Sequence, residues 1–516
     1  MNHSDVNFTN EQELDTLFEN ILIELPPEDV VNTVTPWKKT MKYILTGIAL
    51  KTLTLNFLSL NYILPAIGTL LTLLGFRSLR QENRWFKSCF YISVIQSLFY
   101  FFTLTLNTTI WKSTFYASQT TFILTIINHI LLFIFFLAFW LGLRTVQQKA
   151  GLAPHAGSAL ALIFWYALLY LLALFQYNGI LLFILMLLGY ISLLLSLYKL
   201  SKEFDYASYA IKTAPIRISN TFLLMGIVIF FFTGCICGYL FGNSYPMKWT
   251  AVEPKNNTQI EEIKEHLIST GFPTHILDDI DTKDLLECKD ALYIRTEINN
   301  YPVNEGRQVT GYRQETSLLG TPQEVTYTET VYDVEELQCT SIAVRLSTTT
   351  EQWKIFHHFR WTTNPGFYGT ESLRLSPSYH SSDGWESIGD VSGRLLYEKD
   401  GISYTAPYHS LNSKTYTSNN LFENQQTVTD IFATFSLPNH GENQRGYLSY
   451  TTKKVSESFK LYSSIHYTHQ SSWKQYPVMT AQESSLQSLL EENSPFKEIQ
   501  DILLFHPHEE TKEISN

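Results

Sequence analysis

The stretch IFFFTGCICGYLFGNSYPMKW, Ile229 to Trp249, closes the last apolar run of the chain and opens the long polar part that follows. Its reading decides the architecture, because a membrane exit here leaves everything after Gly242 as a separate domain on one side of a bilayer. Gly234, Cys235, Cys237, Gly238 and Gly242 are small enough for close helix packing, and Gly234 and Gly238 form a small-xxx-small pair. Tyr239, Tyr245 and Trp249 fall where an interfacial aromatic belt sits. Phe232 to Cys235 faintly resembles a lipoprotein acylation site, but such sites follow an N-terminal signal sequence, and no cleavable signal is expected before Met41.

Working outward, the 45% hydrophobic content is unevenly spread. From Met41 to Gly242 apolar blocks recur with little charge, whereas Asn243 to Asn516 reads as a polar domain rich in Thr, Tyr and Ser. A helix needs about 20 apolar residues to cross a bilayer. The expected spans are Tyr43 to Leu60, Tyr62 to Phe76, Cys89 to Trp111, Gln119 to Leu143, Gly157 to Gln176, Gly179 to Tyr198 and Thr221 to Phe241, roughly seven in all. The second is short and holds Pro65, so the first two can also be read as a tight or partly re-entrant hairpin. Either form returns the chain to the same side.

Orientation follows from the positive charges. Lys38, Lys39 and Lys42 precede the first span; Arg77, Arg80, Arg84 and Lys87 follow the second; Arg144 and Lys149 follow the fourth; Lys199, Lys202, Lys212 and Arg217 follow the sixth. The alternate loops are nearly bare, with Lys112 alone between Trp111 and Ser118. The expected N-terminus is therefore cytoplasmic and the part after Gly242 extracytoplasmic. The expected divisions are an acidic, partly helical cytoplasmic segment over 1–40, a polytopic transmembrane domain over 41–243, a short helical subdomain over 244–290, a β-rich extracytoplasmic domain over 291–480, and C-terminal helices and tail over 481–516.

None of the spans holds Asp or Glu, which argues against a proton- or ion-coupled pump. The polar candidates inside them are Lys51, Asn56, Asn128 and His129. A lysine at mid-membrane costs about 3 kcal/mol on insertion scales, so Lys51 is expected to snorkel or to meet a partner on a polar stripe with Thr52, Thr54 and Asn56. Gln96 and Asn107 are expected to make interhelical hydrogen bonds. The head before Pro36 carries acidic residues and no Lys or Arg, with Leu14, Leu17, Phe18, Ile21 and Leu22 at helical spacing, a stripe fit for a cytosolic protein partner or for the membrane region itself. With a net charge of −11, nucleic acid is not an expected partner.

The polar part begins with helical patterns: Thr258 as cap of QIEEIKEHLIST, Gly271 as its stop, and Thr282 to Cys288 as a further short helix. The period then changes to two: Trp353, Ile355, His357, Phe359 and Trp361 share one face, and Asp400-Gly401 turns a hairpin. An antiparallel, mainly β domain with C-terminal helices over Ser484 to Phe505 is the expected result. Cys288 and Cys339 are the pair available there for a disulfide. His466 and His469 are weak metal candidates, because residues i and i+3 of a strand face opposite ways. Asp383, Glu386 and Asp390 around Trp385 have the composition of a sugar site. No nucleophile elbow, zinc-protease motif or phosphate loop occurs in the sequence, and no cofactor is expected.

The segments LPPEDVVNTVTPWKKTMKYILTG, NYILPAIGTLLTLLGFRSLRQENRWFK, FHHFRWTTNPGFYGTESLRLSP, GRLLYEKDGISYTAPYHS and SLPNHGENQRGYLSYT together resemble an uncharacterised family of multi-pass membrane proteins of Clostridia-like Gram-positive bacteria. The resemblance transfers no catalytic residue and implies company with signalling or sigma-factor systems. The expected function is a non-enzymatic envelope sensor or interaction protein, with membrane lipid, a cytosolic protein and an extracellular ligand or wall component as partners. The alternatives are a transport or export component, marked by a polar cavity at Lys51, Asn56, Asn128 and His129, and an ectoenzyme acting on envelope polymer.

Overall fold

The computed structural model describes residues 36–52, 57, 59–176, 179–207, 209, 211–215, 218–253, 257–304, 306–316, 322–347, 351–377, 384–419, 425–456, 460–487 and 494–507. The chain divides into two compact units, the first Met1–Asn107 with Trp111–Cys237 and the second Thr108–Ile110 with Gly238–Asn516.

The first unit is helical: α1 Pro36–Thr52, α2 Leu60–Leu79, α3 Arg84–Leu106, the short α4 Trp111–Ala117, α5 Gln119–Lys149, α6 Gly157–Leu174, α7 Ile180–Tyr206 and α8 Asn220–Phe241. Six of the described helices, α2, α3, α5, α6, α7 and α8, are long and apolar enough to cross a membrane. The first expected span, Tyr43 to Leu60, falls partly outside the described residues, which do not include 53–56. Helix α1, Pro36–Thr52 as described, rises about 25 Å over its 17 residues. It packs backbone to backbone on α2: a methyl on Gly47 would lie 2.7 Å from the Gly68 carbonyl oxygen and 2.8 Å from the Thr72 nitrogen.

The core of this unit is aromatic. Phe76 has the rings of Phe86, Phe135 and Phe139 with centroids 5.9, 5.3 and 5.7 Å away. One end of the bundle is tied by a buried carboxylate: Glu82, between α2 and α3, accepts from Lys149 Nζ at 2.9 Å, Tyr209 OH at 2.9 Å and the Lys212 amide at 2.7 Å. At the same end Arg77 donates to Asn220 Oδ1 at 2.8 Å, His155 pairs with Glu203 at 3.0 Å, and Trp37 packs on Phe86 and Phe204. The starts of α1, α3, α6 and α8 and the ends of α2, α5 and α7 are thus gathered together.

In the second unit helices α9 Thr258–Thr270, α10 Thr274–Leu277 and α11 Thr282–Glu287 precede most of the strands. Asn257, rather than the expected Thr258, caps α9 by accepting from the Gln259 amide, and Gly271 ends it at φ +110°. The strands are β1 Thr250–Ala251, β2 Tyr293–Tyr301, β3 Arg307–Thr316, β4 Pro322–Val331, β5 Leu337–Ser347, β6 Gln352–Trp361, β7 Glu371–Pro377, β8 Trp385–Lys399, β9 Ile402–Ala406, β10 Ser410–Asn419, β11 Gln425–Phe435, β12 Glu442–Lys454, β13 Leu461–Gln470 and β14 Phe496–Phe505, with helix α12 Ala481–Gln487 before the last. They form a seven-stranded sheet β1-β9-β8-β12-β6-β5-β2, a five-stranded sheet β10-β11-β7-β13-β14 and a separate hairpin β3-β4. All pairings are antiparallel.

The two large sheets enclose one core. Trp353, Ile355, Phe359 and Trp361 of β6 meet Leu375, Phe435, Tyr467 and Phe505 of the other sheet. The opposite face of β6 and its neighbours, with Ile342, Phe356 and Tyr447, carries the helices through Ile263, Leu267, Ile276 and Leu285. This layering corrects two expectations. Cys288 lies in the helical layer and Cys339 in the sandwich interior, so the sheet separates them, and both thiols are free. Among its described residues, the segment expected to form C-terminal helices over Ser484 to Phe505 holds the end of the short α12 and then β14, which pairs with β13 along its length. Ile499, Asp501, Leu503 and Phe505 all face inward from β14.

Two ion clusters fix the helical layer to the sheet. Asp284 accepts from Lys354 Nζ at 2.8 Å, Tyr447 OH at 2.7 Å and Ser392 Oγ at 2.7 Å, while Lys354 also reaches Glu287 at 2.5 Å. Asp279 takes Arg445 Nε at 2.8 Å and His358 Nε2 at 3.0 Å. Burial alone would raise both carboxyls, but His358 and Arg445 hold Asp279, and Lys354 holds Asp284, below the usual range.

Removing the cation from a buried pair strands its partner, at about 3–5 kcal/mol. Lys354→Met is therefore expected to lower the unfolding free energy of the β-rich unit by that much, read by chemical denaturation followed through tryptophan fluorescence, and adding Asp284→Asn is expected to restore part of it. The depressed carboxyls stabilise fully above roughly pH 4, their unfolded value, and less as pH falls through their folded values. Acid titration of Asp279→Asn and Asp284→Asn should show a flatter acid limb and lower stability at neutral pH.

Candidate functional site

Lys51 lies on α1, beside Thr52, and residues 53–56 lie outside the described residues. Gly68 lets α2 come so close that a methyl on it would sit 2.8 Å from the Lys51 nitrogen. The ammonium therefore extends sideways toward α3, where its Nζ donates to Gln96 Oε1 at 3.0 Å and lies 6.0 Å from the Phe135 ring centre. Gln96, expected as an interhelical hydrogen-bonding residue, makes that bond to Lys51.

These groups border a cavity of about 390 Å³ between α1, α2, α3, α5 and α6. Its polar wall is Lys51, Thr52, Thr69, Gln96, Thr103 and Asn128. The remainder is Phe99, Tyr100, Leu132, Tyr166, Leu169 and Tyr170. Thr52 Oγ1 lies 2.5 Å from Tyr166 OH and accepts from Tyr190 OH at 2.9 Å, so one side of the wall is a closed hydroxyl network. Tyr100 donates to the Tyr62 carbonyl at 2.7 Å. Asn128 and Tyr170 make no hydrogen bond among the described residues.

Of the four intramembrane candidates, the structure brings Lys51 and Asn128 to one cavity. His129 is beside it rather than in its wall: the Nδ1 bonds the Thr125 carbonyl at 2.6 Å, and the ring meets Tyr170 edge to face at 4.6 Å. Asn56 lies outside the described residues. The sequence reading missed Tyr166 and Tyr170, one turn apart on α6 and the two tyrosines of an apolar helix. That spacing was the available signal.

In the β-rich unit the expected chemistry does not assemble. His466 lies with Arg374 and Glu498, at 3.1 Å from each, whereas His469 is buried on the other face against Glu371 at 2.8 Å. Among the described residues no cluster of His, Cys, Asp and Glu is arranged to hold a metal. Trp385 is wholly buried and donates to the Lys460 carbonyl, so it offers no platform to a sugar, and Asp383 lies outside the described residues.

A serine and histidine do meet here. Ser341 Oγ donates to Asp501 Oδ2 at 2.5 Å and sits 2.7 Å from His357 Nδ1, which therefore carries the proton, leaving Nε2 to accept from Ser463 Oγ at 2.7 Å. Burial pushes His357 down to about 4, against the pull of Asp501, so the ring is neutral. Ser463 and His357 are 0% and 1% exposed inside the sandwich, where no substrate reaches them, and their bonds serve to satisfy buried polar groups. A polar surface pocket of about 650 Å³ has Arg360, Gln338, Asn364, Glu442 and Asn443 in its wall.

No family model matches the chain, and no curated protein matches it. Among solved structures, the collagen-binding domain of the Erysipelothrix rhusiopathiae surface protein RspB is similar at 7% identity over 43% of this chain and 67% of that one, with a TM-score of 0.17. A pore-forming protein is similar at 6% identity over 41% of this chain and 95% of that one, with a TM-score of 0.16. Both likenesses are too slight to bear on fold or activity.

Proposed function

We propose that this is an integral membrane protein of the cell envelope, with its N-terminus cytoplasmic and its β-rich unit outside, and that it works as a non-enzymatic sensor. The observation that carries the orientation is the gathering of the basic loops at one end of the helical unit. Lys38, Arg77, Arg80, Lys149 and Lys212 all belong to segments tied together there through Glu82, Arg77 and Trp37. Positive loops stay inside. Helix α8 starts at that end, and its 22 residues carry the chain away from it. An α1-α2 pair that returns to the side it left gives the same orientation whether both helices cross, for seven crossings, or the pair is re-entrant, for five.

The membrane reading is supported by large apolar side chains left uncovered, such as Ile180 and Phe230 at 81% exposure each, which lipid would cover and water would not tolerate in such number. The sensor reading rests on a ligand-sized polar cavity in the helical unit joined, in one chain, to a β-sandwich of the kind that presents loops and pockets. The family resemblance, with its association with signalling systems, points the same way. A transport or export component is the second reading, favoured by the cavity bordered by Lys51 and Asn128.

Orientation is tested with single cysteines at the exposed Lys87, Gln148 and Asn439, in a chain whose five native cysteines are replaced by alanine. In intact cells an impermeant maleimide is expected to label Asn439→Cys alone, while labelling of Lys87→Cys or Gln148→Cys with protection of Asn439→Cys would overturn the proposal. Planar-bilayer recording separates the two functions: a sensor gives no current above protein-free bilayers, whereas an anion current would favour transport.

A further inference from the structure

We propose that the Lys51 cavity is a binding site for a small amphipathic monoanion, a carboxylic acid with a short apolar or aromatic tail. This rests on the reading of the helical unit as a ligand-binding membrane bundle. An ammonium has three N–H donors, and the described residues give that of Lys51 one acceptor, the neutral Gln96 Oε1 at 3.0 Å. Among the described residues no carboxylate pairs with it. Elsewhere in the chain the buried Lys354 meets two carboxylates, Asp284 at 2.8 Å and Glu287 at 2.5 Å. Lys51 is half-buried beside the cavity, and a cation partly withdrawn from water gains from a counter-charge that an occupant supplies.

The rest of the wall sets the chemistry of the occupant. Asn128 and Tyr170, on two further helices, bring an amide and a hydroxyl that no described residue uses. With the spare Lys51 protons they match the several lone pairs of one carboxylate. One cation answers one negative charge, and the cavity has no arginine fork or second lysine of the kind that recognises a phosphate dianion. Phe99, Leu132 and Leu169 provide the apolar surface for a tail. At about 390 Å³ the space is at the small end of ligand pockets, which run from roughly 300 to 1,000 Å³. Gln96 then has a definite role: it holds the ammonium in the empty site and yields it when the acid enters.

The test uses the full chain in phosphatidylcholine nanodiscs and measures saturable binding of radiolabelled octanoate, with octanamide and octyl phosphate as competitors. The proposal expects octanoate to bind, octanamide not to compete, and octyl phosphate to compete more weakly than unlabelled octanoate. Lys51→Met should weaken binding at least tenfold and Lys51→Arg should retain it within about threefold, the difference being that of a charge kept or lost. Should Lys51→Met fail to fold, Gln96→Leu decides, because removing the competing acceptor must leave octanoate bound as tightly as before or more so. Equal competition by octanamide, stronger competition by octyl phosphate, unchanged binding by a folded Lys51→Met, or loss of binding in a folded Gln96→Leu would each overturn the proposal. Binding in nanodiscs does not depend on which side each loop occupies, so failure here is distinct from failure of the orientation, which cysteine labelling reads.

Discussion

A buried carboxylate, that of Glu82, holds the helical unit in register. It is wholly covered, and Lys149, Tyr209 and the Lys212 backbone supply the donors that a buried carboxylate needs. Because those donors come from the last residue of α5 and the segment after α7, one ionic contact draws three connections to the same end of the bundle. The basic residues of these connections, which set orientation in a membrane, are thereby collected at one end by the fold and not only by sequence alternation. The β-rich unit solves its own docking problem in the same way, with Asp279 and Asp284 fixing the helical layer to the sheet through Arg445, His358 and Lys354.

Lys51 is held differently from these pairs: it is half-buried and is met by an amide oxygen and an aromatic ring, and buried Arg77 in the same unit is likewise met by neutral oxygens, those of Asn220 and Ile218. A few residues explain where Lys51 sits: Gly47 and Gly68 bring α1 and α2 into backbone contact, and the lysine side chain turns into the space bounded by α3, α5 and α6. A close helix pair therefore produces a polar cavity in an otherwise apolar bundle. Both functional readings, sensing and transport, draw on this cavity.

Much of the architecture could be read from the sequence because it rests on period and composition. The apolar blocks appear as long helices, and Trp353, Ile355, His357, Phe359 and Trp361 do share the interior face of β6. What escaped reading depended on contacts distant in sequence. Strand β14 was hidden because Asp501 occupies an inward position of the alternation, and it can do so only because Ser341, Asn299 and Tyr301 are there to bond it. Cys288 and Cys339 look like a disulfide pair until a sheet lies between them. The partners of the Lys51 cavity on α6, Tyr166 and Tyr170, carried only the weak signal of a one-turn spacing.

The central claim, that the basic end of the helical unit is cytoplasmic and the β-rich unit lies across the membrane from it, is tested most directly by protease digestion of right-side-out vesicles with mass analysis of the membrane-retained fragment. The account predicts that externally added protease removes the β-rich region and leaves a fragment running from the N-terminus to near Gly242. An intact β-rich region, with cuts instead between α5 and α6 or between α7 and α8, would contradict it.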